Sequence, residues 1–229
     1  MTMTRLEMQG HVQVNIGNRS DLNTQIIDYL DWAVRDAASV RNWRDDMIVD
    51  DKGSISTVEG TKTYPLPSNT KDIISTVYYD DSISTSYSLR YMPPEHFDAR
   101  HPNPEKDGNN RPQIFTRRGN DIELMPIPAI TGVPIFMRLA IWPDEMTADD
   151  DVCPLANLDY AIVFGATAYA MRAINDKGRG AEFENEFKKA MRRAARAENE
   201  PSAWTPQYAS VRLRQNIPSG DLIVDPEYA

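Results

Sequence analysis

The chain has 229 residues, a formal net charge of −9 and a single cysteine. That length fits one large domain or two small ones, and the negative charge argues against unaided nucleic-acid binding, which wants a basic footprint. One cysteine excludes an intramolecular disulfide and a cysteine metal cluster, while ten Met, ten Tyr, six Phe and four Trp supply material for a folded body.

The opening residues Met1–Arg5 lead into no apolar run, so no secretory signal is expected. The longest apolar stretch, Tyr160–Met171, is short of the ~20 residues of a bilayer span. A soluble protein made in a reducing compartment is the resulting expectation. Leu6–Ile16 is ambiguous, because Val12, Val14 and Ile16 alternate as in a strand while Leu6 and its neighbours could wind into helix. The first clear helix follows Ser20-Asp21, with Leu22, Ile26, Leu30, Ala33, Val34 and Ala37 on one face and Ser20 placed to cap it.

From about Ile48 the period changes to two. Ser54–Val58 and Thr61–Leu66 flank Glu59-Gly60 as a hairpin. Asp72–Tyr79 joins, through Asp80-Asp81-Ser82, a half-buried strand with Ile83, Thr85, Tyr87, Leu89 and Tyr91 on one face. The proline-punctuated stretch Pro93–Arg111 reads as a long loop with one short helical turn after Met92. Gly119-Asn120 is a two-residue turn with Gly first, linking Gln113–Arg117 to Ile122–Met125. The last strand, Ile135–Trp142, places Ile135, Met137, Leu139 and Ile141 on one face. Six or seven strands are enough for a small antiparallel sandwich or barrel.

After Pro143 the pattern is helical again. Leu155, Leu158, Ile162, Gly165, Ala166, Tyr169 and Ala173 form one face of a helix that begins at Pro154 and ends at Asn175–Gly178. Asp149–Asp151 is placed to favour its positive end. A second helix, Ala181–Ala197, is expected to bury Phe183, Phe187, Ala190, Met191 and Ala194, with Glu182, Glu184 and Glu186 early and Lys188, Lys189, Arg192, Arg193 and Arg196 late. From Asn199 to Ala229 periodicity stops. Apolar anchors persist at Trp204, Tyr208, Val211, Leu213, Ile217, Leu222 and Ile223, as in extended segments that fold on a partner.

Chemistry is scarce. His96 and His101 are five apart, which fits neither a helix face nor a zinc motif, and His11 stands alone. Cys153 has no histidine nearby in sequence. Asp149–Asp151 lacks the spaced ligands and glycine of a calcium loop. No catalytic, metal or cofactor residue is assigned. The basic run Lys188–Arg196 is read as a solvated helix face or as a grip on a partner.

The order of these weak motifs resembles the adaptor, or head–tail connector, proteins of tailed bacteriophages. The similar residues are the helix Leu22–Ala37 closed by Trp43, the strand entry Gly60–Pro67, the Pro-led hairpin Arg111–Pro128 ending in Pro126-Ile127-Pro128, then Ile141-Trp142-Pro143, the acidic loop and the Leu158–Met171 helix. Ala129 and Trp142 depart from the usual pattern. The resemblance implies a non-catalytic α+β protein: a helical bundle from N- and C-terminal helices, an inserted antiparallel β-sandwich or barrel, and an extended C-terminal arm. The boundaries are 1–47, 48–143, 144–198 and 199–229. It also implies a homo-oligomeric ring of twelve subunits under the portal protein at the head–tail interface of the virion, made in the host cytoplasm. DNA would pass its channel without specific binding, the arm would dock on the portal, and downstream tail proteins would attach below. Three rivals remain: a tail-side completion protein, a carbohydrate- or ligand-binding β-module using Tyr78, Tyr87 and Tyr91, and a hydrolase using Cys153 or His96.

Overall fold

The ambiguous N-terminal segment is decided by a capping box. Glu7 Oε2 accepts from the Thr4 amide at 2.9 Å while Thr4 Oγ1 accepts from the Glu7 amide at 3.3 Å, which satisfies amides that a helix start leaves orphaned. Helix α1 (Arg5–Asn15) then buries Met8 and Val12, and Val14 is left exposed. The computed structural model describes residues 2–80, 85–103 and 108–199. They fall into two compact units, Met1–Met191 and one that begins at Arg192, of which Arg192–Asn199 is described.

Ser20 does not cap the next helix. It opens a 3-10 turn, Ser20–Leu22, and α2 (Asn23–Val40) starts one step later, on Leu22, without a side-chain cap. Its expected face is otherwise as the spacing requires: Ile26, Leu30, Ala33, Val34 and Ala37 are all buried. Two side chains close its far end. The buried Trp43 indole donates to the Ala37 carbonyl at 3.0 Å, and the Lys71 ammonium donates to the carbonyls of Ala38 and Arg41. A cation there favours the negative end of the helix dipole.

A short turn, α3 (Arg44–Met47), leads into β1 (Ile48–Ser56). The strands form two four-stranded sheets. The first has the order β1, β10 (Pro134–Ile141), β3 (Thr70–Asp80), β4 (Thr85–Ser88), all antiparallel. The second runs β2 (Thr63–Pro65), β8 (Asp121–Met125), β7 (Ile114–Arg118), β5 (Arg90–Tyr91). Both contribute to one apolar core that includes Ile55, Tyr64, Tyr78, Leu89, Phe115, Leu124, Ile135 and Leu139.

Two expected strand pairings are corrected. The segments flanking Glu59-Gly60 are not a hairpin, because β1 pairs with β10 and β2 pairs with β8 in the other sheet. Tyr64 holds that corner, its hydroxyl accepting from the Val58 amide at 3.0 Å and donating to the Thr61 carbonyl at 2.8 Å. The alternating run around Tyr87 and Tyr91 is likewise divided. Thr85–Ser88 pairs with β3, whereas Arg90-Tyr91 pairs with β7 in the second sheet, in parallel. Leu89, buried between them, donates its amide to Thr76. A strand that changes sheets keeps its alternation, so sequence period alone reads it as continuous. A second parallel pair, β6 (Asn109-Asn110) with β9 (Ile127-Pro128), makes the β-region mixed. Ile83 and the turn residues Asp81 and Ser82 lie outside the described residues.

The Gly119-Asn120 turn is as expected, with Arg118 facing Asp121 and Gly119 at φ +62°. The helical turn after Met92 is α4 (Pro94–Arg100), pinned by the buried Phe97 against Met125 and Ile127.

The helix expected from Pro154 begins later, as α5 (Asp159–Ala173), and Leu155 and Leu158 are buried in the approach to it. Asn157 at φ +62° breaks the path, and Asp46 accepts from the Ala156 amide at 2.9 Å. α5 packs against both α1 and α2 and is buried nearly all round, as a central helix must be when apolar on every side. The next helix, α6 (Lys177–Asn199), starts before the expected Ala181. Asp176 Oδ1 accepts from the Arg179 amide at 3.2 Å and acts as its cap. Its expected buried face is only partly covered: Met191 is buried, but Phe183, Phe187, Ala190 and Ala194 are intermediate.

Candidate partner-binding surfaces

The acidic run after β10 caps a helix, but not the one that follows it in sequence. The Asp151 and Asp149 carbonyls accept from the Arg5 and Leu6 amides at 2.8 and 3.2 Å, which closes the start of α1. Arg5, 9 % exposed, donates to the carbonyls of Met146 and Thr147 and pairs with the Asp149 carboxylate. Met3 extends the clamp, its amide donating to the buried Asp159 carboxylate at 2.8 Å while its carbonyl accepts from the Cys153 amide. The run is therefore structural, and among the described residues no group of three or more His, Cys, Asp or Glu could hold a metal.

Cys153 has no catalytic surroundings. It is 5 % exposed, its thiol faces the Leu155 carbonyl at 3.4 Å, and burial pushes its pKa up to about 12. A nucleophile needs the thiolate. His96 and His11 are exposed, and the His101 ring lies 5.8 Å from that of Phe97. Of the tyrosines proposed for a carbohydrate or ligand pocket, Tyr78 and Tyr87 pack together with their rings 5.4 Å apart. Tyr78 is core, the Tyr87 hydroxyl donates to the Pro112 carbonyl at 2.8 Å, and Tyr91 is exposed beside Phe115. Tyr78 and Tyr91 line separate cavities, of about 380 and 400 Å³.

The basic residues expected late in the second C-terminal helix all fall within α6. Lys188, Lys189, Arg192, Arg193 and Arg196 are all exposed. Lys188 pairs with Glu184 and Lys189 with Glu186 along the helix. Glu184 also pairs with Arg172 of α5, and hydrogen bonding to Lys188 with the nearby Arg172 charge holds its carboxyl below the usual range. Such exposed pairs contribute roughly 0–1 kcal/mol. The anchors Trp204, Tyr208, Val211, Leu213, Ile217, Leu222 and Ile223 lie outside the described residues.

One surface was not foreseen. Trp32, half exposed, packs edge-on against Tyr169 at 5.6 Å and tilts against Tyr29 at 5.4 Å. The signal in the sequence is that Trp32 lies off the apolar face of α2, where an aromatic has no core to fill. Further along the same helix, Arg35, Asp36 and Ser39 line a cavity of about 780 Å³ completed by Ser68, Asn69 and Trp142–Glu145 with Thr147.

The family model described as SU10 adaptor protein matches residues 3–213. The chain belongs to the SU10 adaptor protein family. It is thus a structural adaptor of a bacteriophage, from a family that is generally non-catalytic. No curated protein matches the chain. In this adaptor no described helix is long and apolar enough to cross a membrane. The family match runs past the end of α6 at Asn199, so it covers residues 200–213 as well as the described body.

Proposed function

We propose that this adaptor forms a twelve-subunit ring beneath the portal at the head–tail interface, continues the DNA channel, and carries downstream tail proteins. The family match over residues 3–213 is the observation that carries this reading. The mutual packing of α1, α2 and α5 supports a ring body made of helices from both ends of the chain, with a β-sandwich domain inserted between them. The proposed boundaries are 1–47, 48–143, 144–198 and 199–229. The net charge of −9 suits a channel wall that packaged DNA must pass without adhering.

The arm beyond α6 is the proposed portal contact, with anchors drawn from Trp204, Tyr208, Val211, Leu213, Ile217, Leu222 and Ile223. Lys188, Lys189, Arg192, Arg193 and Arg196 are proposed to touch the portal or a neighbouring subunit. Because most of the interface is made only on the ring, the free protein is expected to be monomeric. Deleting residues 200–229 tests the reading: the variant should keep the thermal stability of the body and lose binding to the purified portal. Binding at normal affinity would overturn it, and binding to tail proteins alone would favour a tail-side completion protein.

A further inference from the structure

The surface left over by the ring reading is elongated and polar-aromatic. Trp32, Arg35, Asp36 and Ser39 follow i, i+3, i+4, i+7 spacing on α2 and are all exposed, so they make one stripe about 10 Å long. At one end lies the Trp32–Tyr29–Tyr169 cluster, with the Tyr169 hydroxyl donating to Asp36. At the other lies the cavity of about 780 Å³, whose lining includes Trp142 and Pro143. Three carboxylates, Asp36, Asp144 and Glu145, line that cavity against one guanidinium, Arg35, which pairs with Glu145. Asn69 Nδ2 donates to Asp144 at 3.1 Å, and the Lys71 ammonium stacks over Trp142 at 5.2 Å.

A groove with aromatic ends and surplus negative charge fits an extended cationic peptide that carries aromatic residues. This chain contains a sequence of that composition. Although acidic residues outnumber basic ones 34 to 25 overall, residues 201–220 contain no Asp or Glu. They carry Arg212 and Arg214 together with Trp204, Tyr208, Val211 and Leu213. An extended chain the length of residues 200–229 reaches ~100 Å, enough to cross onto another subunit. Arg, Trp and Tyr are also the residues that dominate interface energetics.

We infer that the segment Trp204–Arg214 of one copy seats along the α2 stripe and acidic cavity of the next copy in the ring. This rests on the ring reading and narrows the portal contact to the remainder of the arm, Ile217, Leu222 and Ile223. The interface is heterologous, arm of one copy to cavity of the next, which is the type that closes into a ring.

Charge reversal on both sides tests it in the full-length protein. R212E/R214E and D144K/E145K should each lower the amount of adaptor recovered on purified portal by about tenfold, with the thermal midpoint of the body unchanged. A chain carrying all four changes should regain most of the loss, because reversed charges face each other again. A four-fold variant no better than either pair would overturn the inference, as would an inert D144K/E145K. Absence of any ring with the unaltered protein is a different result: it would overturn the ring reading itself.

Discussion

Consecutive helices α5 and α6 are built for opposite purposes. α5 is buried on nearly every side, and at Gly165 an added Cβ would stand 3.0 Å from Ala33 of α2 and 3.3 Å from Phe187 of α6. α6 shows a half-covered apolar stripe and an exposed basic row. On the proposed reading, one helix holds the body together and the other is left to meet a partner. Mutations should therefore separate cleanly into those that damage folding and those that leave it intact.

The largest effect should come from Arg5→Ala. It removes a buried guanidinium that serves two carbonyls and the Asp149 carboxylate, and should cost about 2–3 kcal/mol in denaturant unfolding. Gly165→Ala should come next, at about 1–3 kcal/mol, because overpacking outweighs the usual helical gain over glycine. Gly10 is the control on that argument: a Cβ there meets nothing within 4 Å, so Gly10→Ala should stabilise by about 0.5–1 kcal/mol. A stabilising Gly165→Ala would break the claim that α2 and α6 both close on α5.

Cys153 sharpens the comparison from the chemical side. Its folded pKa is raised by burial from 9.0 to about 12, so below pH 9 the thiol is neutral whether folded or unfolded and costs nothing. Between pH 9 and 12 the unfolded chain ionises first, and stability should fall as pH rises through that window. A thiol-reactive probe at pH 8 should label the native protein very slowly and the unfolded protein quickly. Rapid native labelling would show an open body. The smallest effect belongs to α6: Lys188→Ala and Lys189→Ala should each change stability by no more than about 0.5 kcal/mol.

The same contrast governs what could be read from the sequence. The faces of α2 and of the strand ending at Ile141 were legible because burial there follows a single period, and Gly119-Asn120 because a turn type demands its residues. The sheet change at Leu89 and the split at Glu59-Gly60 were not, since alternation does not say which partner a strand takes. Asp149–Asp151 was assigned to the wrong helix because a cap can come from a distant part of the chain, here reaching Arg5 and Leu6, as easily as from the next turn. The Trp32 cluster needed α2 and α5 side by side before it became a surface. The anchors proposed beyond Asn199 come from apolar residues spaced along a proline-punctuated sequence and, for the portal, from the family resemblance, so binding itself is their test.

That test is imaging of the full-length protein mixed with its purified portal. The account predicts an added layer of twelve-fold density beneath the portal, pierced by an open channel. Portal particles without such a layer, in the presence of folded excess protein, would contradict it.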